Sequence, residues 1–145
     1  MEEIELGDAF LIDTPPNDRH LYIVIAVISE NNYLLVNTTT SNKQIDPDKD
    51  CVINPGEGIP DFIDRQSTIA YAYAREIRKN QINKIIREGQ CQHCGRFPVD
   101  EVYKIQERGA FSTSLAKKYR NFLTQVLQNR ELDRYICEKL NRRLG

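Results

Sequence analysis

The chain has 145 residues, 40% of them hydrophobic and 28% charged, with a formal net charge of −1. That length suits one domain with a real core, and the ordinary composition excludes wholesale disorder. The longest apolar run (LYIVIAVI, residues 21–28) is too short to cross a bilayer, and the acidic opening MEEIELGD lacks the basic and apolar regions of a signal peptide, so the cytoplasm is the expected compartment.

Taken in chain order, the first half reads as strands. Residues 8–13 (DAFLID) form a short apolar run after Gly7 that stops at Thr14-Pro15-Pro16, because a proline pair cannot donate ladder hydrogen bonds. Residues 21–28 are β-branched and continuously apolar, the pattern of a strand covered on both sides. The paired asparagines in SENNY tolerate the backbone of a tight turn, so residues 33–37 (YLLVN) return as the partner strand and run into TTTS. A polar loop over 41–50 leads to a short strand at CVIN and a turn at PGEG. From Ser67, Thr68, Ala70, Ala72 and Ala74 alternate with Ile69, Tyr71 and Tyr73, which predicts a strand with one small face and one bulky face. Five or so short strands joined by hairpin turns argue for a compact, mostly antiparallel barrel.

The second half changes period. Asn80 is expected to cap a helix running to Glu88, with Gly89 following it; Pro98 opens a second helix that Gly109 ends. A third helix begins at Ser112 or Ser114 and carries Leu115, Tyr119, Phe122, Leu123, Val126 and Leu127 on one face. The stripe restarts out of phase at Leu132, Ile136 and Leu140, which predicts a break near Gln128-Asn129. The fold class is therefore α+β: a barrel over residues 1–78 and a helical extension over 79–145, packed as one unit.

Charge is divided between the halves. Residues 1–75 hold 5 Lys+Arg against 13 Asp+Glu, a net of −8; residues 76–145 hold 15 against 8, a net of +7. Such a split fits either a nucleic-acid or acidic-partner surface, or basic elements docked on the acidic half.

Two segments converge on possible chemistry. The turn at Asn31-Asn32 makes the second and third strands antiparallel neighbours, so the start of one and the end of the next share an edge. His20 and Thr40, twenty positions apart in sequence, are thus expected to face a common cleft. The bland alternatives are a strand-entry histidine and a Ser/Thr-rich turn whose hydroxyls satisfy local backbone groups.

Taken together, GDAFLID, HLYIVIAVIS, LLVNTTTS and STIAYAYAREI resemble the MazF/PemK-type toxin family of bacterial toxin–antitoxin systems, over roughly residues 5 to 78. His20-Leu21 occupies the position of that family's Arg-Pro, and Thr40-Ser41 matches its strand-ending Thr-Ser. The resemblance implies a small SH3-like antiparallel barrel, usually a homodimer with a cognate antitoxin-like protein. It also implies metal-independent cleavage of single-stranded RNA, in which a 2′-hydroxyl attacks the adjacent phosphate. Carried over, His20 is the acid/base and Thr40 the charge stabiliser, with Thr39 and Ser41 one position away in register. Lys43 and Arg65 are the first loop cations for the RNA. Histidine in place of arginine exchanges a permanent charge and planar fork for a mobile proton.

The remaining motif is CQHCGRF. Cys91 and Cys94 are half of a zinc knuckle, and Cys51, His93 or Cys137 would have to converge on them; otherwise they are a pair of loop thiols. Cys51 and Cys137 are expected as small core fillers, and Tyr71 and Tyr73 as core or interface residues. Two further readings stand beside the nuclease. One is a non-catalytic SH3-like barrel binding a protein partner or nucleic acid; the other is a small zinc-dependent regulatory module.

Overall fold

The computed structural model describes residues 3–16, 18–40, 44–46 and 49–144. The elements in order are β1 (Asp8–Thr14), β2 (Asp18–Ser29), β3 (Asn32–Thr39), β4 (Val52–Ile53), β5 (Ser67–Arg78), α1 (Lys79–Arg87), β6 (Cys91–Arg96), α2 (Val99–Ala110) and α3 (Lys117–Leu144). All six strands join one antiparallel sheet in the order β4-β5-β3-β2-β1-β6, curled into a half-barrel, so the class is α+β as the strand and helix patterns require. Its two edges are β4 and β6. The sixth strand comes from the second half of the chain, so the sheet extends past the boundary expected at residue 78.

Both sides of the sheet are covered, which explains the continuous apolar run of β2. On one face Ala9, Leu11, Leu21, Ile23, Leu34, Val36, Ile69 and Tyr71 pack against Val102 and Ile105 of α2 and Leu123 of α3. On the other, Phe10, Tyr22, Val24, Tyr33 and Leu35 pack against Ile82 of α1, with Ile85 and Ile86 alongside. Alternate β2 residues thus feed two separate cores. Buried Gln106 ties the layers together: its Nε2 donates to the Ile25 carbonyl at 2.7 Å, and its Oε1 accepts from Arg130 at 2.8 Å.

Three helix ends differ from expectation. α1 starts two residues early, with Arg78 at the cap position, where Gln81 Oε1 accepts from the Arg78 N–H at 2.9 Å, instead of an Asn80 cap. Gly89 follows the helix with φ +75° as expected. Gly109 lies inside α2 rather than ending it; a Cβ there would stand 2.9 Å from Leu123 Cδ1 and 3.0 Å from Tyr71 Cε1, so its role is close approach of helix to helix and sheet. α3 begins at Lys117, past the caps expected at Ser112 or Ser114, so Leu115 packs into the core from the preceding turn, and the helix runs unbroken through Gln128-Asn129. The out-of-phase stripe needs no break, because Leu132, Tyr135, Ile136 and Leu140 are exposed and have no core to face. Among the described residues, no helix is long and apolar enough to cross a membrane.

Candidate active site

His20 stands third in β2, paired with Ile12 of β1 rather than waiting at the strand mouth. Its side chain lies on the α1-bearing face, in line with Tyr22 and Val24, but past the end of the apolar cover. There β1, β2 and β3 become polar in register: Thr14 pairs with Asp18, and Asn37 pairs with Tyr22. One hydrogen bond holds the imidazole, and an acid lies further off. Nδ1 is 2.8 Å from Thr14 Oγ1, and Nε2 is 3.7 Å from Asp18 Oδ2. A ring fixed at one nitrogen presents the other to the cleft, the arrangement a proton carrier needs.

The cleft has two lobes that share lining residues. One, of about 610 Å³, is lined by His20, Thr39, Thr40, Ile63, Arg65 and Ser67. The other, of about 480 Å³, includes Thr14, His20, Asn37, Thr39, Tyr73 and Arg75. Asp18, His20 and Thr39 belong to both lobes. His20, Thr39, Thr40 and Arg65 are therefore brought together around one opening. Ser41 and Lys43 lie outside the described residues. Arg65 is not a free cation, since its Nε sits 3.3 Å from Asp64 Oδ1. Arg19 pairs with Asp13 at 2.8 Å, across the β1–β2 ladder.

Of the lining residues not singled out from sequence, three bear on the chemistry. Thr14 reads only as the end of a strand. Asn37 reads as the start of a polar turn, yet it is buried within β3, 5% exposed, as is Thr38 after it. Arg75 is the most consequential. The alternation of β5 breaks between its pairings Asn37↔Ala70 and Leu35↔Arg75, where five residues advance on β5 against two on β3. This bulge sends Tyr71 into the α2-side core and turns Tyr73 and Arg75 onto the opposite face, into the cleft. Tyr73 is thus 66% exposed rather than a core residue. Arg75 has no hydrogen-bond or ion-pair partner among the described residues. A cation, Arg75, lines the same cavity as His20, delivered by β5 rather than by the loop before β2.

The thiols are arranged differently from a metal knuckle. Cys91 and Cys94 are on edge strand β6, not in a loop. An odd spacing on a strand directs them to opposite faces: Cys91 joins the α1-side core, and Cys94 packs on the α2 side. Gly95, at φ +98°, accommodates the β1–β6 bulge that follows. Among the described residues no three His, Cys, Asp or Glu side chains group to hold a metal. Cys51 is a core filler as expected, whereas Cys137 is exposed on α3.

A scan against family models and a search of curated proteins give no match. Among solved structures, the chain is similar to one in the crystal structure of MazE-MazF (Form-II) from Deinococcus radiodurans. The identity is 12%, over 72% of this chain and 89% of that one, with a TM-score of 0.46.

Proposed function

We propose that the protein is a MazF/PemK-like toxin that cleaves single-stranded RNA without a metal, at the opening shared by His20, Thr39 and Thr40. The observation that carries this reading is an oriented histidine beside strand-end hydroxyls, in a groove open to solvent that Arg75, without a partner among the described residues, also lines. In the reaction the 2′-hydroxyl oxygen bonds to the adjacent phosphorus, and the P–O5′ bond breaks. One proton leaves the 2′-oxygen and one is delivered to the departing 5′-oxygen, giving a cyclic phosphate and a 5′-hydroxyl. His20 carries protons as acid/base, with Thr14 fixing its ring and Asp18 lining the same opening. Thr40, with Thr39 beside it, donates to the phosphoryl oxygens as charge builds there. Arg75 supplies the permanent positive charge that histidine lacks at the arginine position of the family.

A homodimer and an antitoxin-like protein partner belong to the same proposal. The exposed apolar residues of α3 give such a partner a helical surface. The second reading, a non-catalytic barrel that binds nucleic acid or protein, is favoured by the scarcity of cations on the first half.

The experiment that decides between them is incubation of the purified protein with a long single-stranded RNA in excess EDTA, followed by end analysis. Fragments that accept a 5′-phosphate directly from a polynucleotide kinase carry the expected 5′-hydroxyl. Intact RNA, or fragments that need prior phosphatase treatment, would refute the nuclease reading.

A further inference from the structure

We infer that the lobe on the α1-bearing face is a nucleobase subsite, with Tyr73 as its stacking platform and Asn37 reading the edge of the base. This deepens the ribonuclease reading of His20 and Thr40 and rests on it.

Asn37 occupies a position where sheet packing favours an apolar side chain. It follows Tyr33 and Leu35 on the same face of β3, pairs with Tyr22 on one side and Ala70 on the other, and is 5% exposed. Its Oδ1 is buried and has no hydrogen-bond partner among the described residues. Folded proteins rarely leave such an atom unpaired, and an amide that lines a cleft is paired by what the cleft binds. An amide combines an acceptor and donors on one planar group, which matches the paired acceptor and donor positions along a base edge.

Tyr73 is the second, independent observation. The β5 bulge removes it from the core that takes Tyr71 and sets its ring on the sheet surface, in the lobe that also holds Asn37 and His20. Aromatic rings standing on a sheet are a general means of holding unstacked bases, and each stacked base contributes about ten- to a hundred-fold in affinity. Arg75, two residues further along the same face, is placed for the adjoining phosphate. Stacked there, a base lies beside His20, so the bond that is cut is set by the base that Asn37 accepts.

The test separates binding from cleavage. Fluorescein-labelled 2′-O-methyl pentanucleotides of A, C and U, which cannot be cut, are titrated by anisotropy against the wild type, Asn37→Val, Tyr73→Ala and Tyr73→Phe. The wild type is expected to prefer one base by about tenfold or more. Asn37→Val is expected to reduce that preference to within about twofold, while raising the thermal midpoint of the free protein, because an unpaired buried amide has been replaced by a strand-favouring apolar group. Tyr73→Ala is expected to weaken all three ligands about tenfold, and Tyr73→Phe to restore them. Equal affinity for all bases, a preference unchanged by Asn37→Val, or no binding by the wild type would overturn the subsite. If binding follows the expected pattern but RNA in EDTA stays intact, the subsite stands and the nuclease reading falls. If RNA is cut but the Asn37→Val and Tyr73→Ala proteins bind like the wild type, the reverse holds.

Discussion

Asp8 is fully buried at the start of β1, and its charge is answered from three directions. Its carboxylate accepts from the Glu5 N–H at 2.8 Å, lies 3.0 Å from His93 Nε2, and accepts from Arg96 Nε at 3.1 Å. Both side-chain partners come from β6, so Asp8 fastens the edge strand to the sheet. Asp8→Asn keeps the shape and removes the charge; it is expected to cost about 3 kcal/mol, measured by urea unfolding. A loss below about 1 kcal/mol would mean that the network is incidental. The thiols provide a second check at this scale. Burial, reinforced by Cys94 and then Asp13, pushes the Cys91 thiol up to about 11, and burial likewise raises Cys51. Thiolate is the reactive form, so at pH 8 iodoacetamide should label exposed Cys137 well before Cys91 or Cys51. The same shift bears on stability. The unfolded chain releases the Cys91 proton first, so it binds fewer protons than the folded one above the ordinary thiol range, and stability should fall as pH rises from about 9 toward 11.

Helices and strands differ in how much of them could be read from sequence. The first three strands and the two helices after Asn80 and Pro98 follow from periodicity and proline placement, because local pattern and burial agree there. β6 was hidden: CQHCGR has no apolar alternation, and it becomes a strand through pairing with β1 and the charges around Asp8. The β5 bulge was hidden as well, since unbroken Ala/Tyr alternation carries no mark of an inserted residue; with it went the placement of Tyr73 and Arg75. His20 and the threonines were legible because hairpin geometry alone brings their ends together. Two element-level outcomes follow. Gly109→Ala gains roughly 1 kcal/mol of helix propensity but drives a methyl into Leu123 and a Tyr71 ring pinned by its 2.7 Å hydrogen bond to the Ile105 carbonyl. Overpacking of about 1–3 kcal/mol should win, giving a net loss by thermal unfolding. Ending the chain after Arg130 removes a stretch of α3 in which residues 131–143 are all exposed, and keeps the bond to Gln106. It should therefore change stability by no more than about 0.5 kcal/mol. A larger drop would show that the far end of α3 has a partner.

For the whole molecule, the charge division is mostly not resolved by docking one half on the other. Among the described ion pairs, the side chains of the second half that reach acids of the first are Arg96, on Glu5 and Asp8, and the His93 imidazole on Asp8. The basic residues of α3 remain a surface property, and the cleft itself offers Arg75 beside two cations already paired, Arg65 with Asp64 and Arg19 with Asp13. With about two phosphate contacts, single-stranded RNA binding should depend weakly on salt, with a slope near −1.4 in log affinity against log salt. A slope steeper than about −4 would place the RNA along α3 instead. The most direct test of the central claim compares wild type, His20→Ala, Thr40→Ala and Arg75→Ala on one long single-stranded RNA in excess EDTA. Discrete cleavage by the wild type is expected, abolished by His20→Ala and reduced at least about a hundredfold by Thr40→Ala and by Arg75→Ala, with all four proteins equally folded. Cleavage that survives His20→Ala undiminished, or its absence from the wild type, would contradict the account.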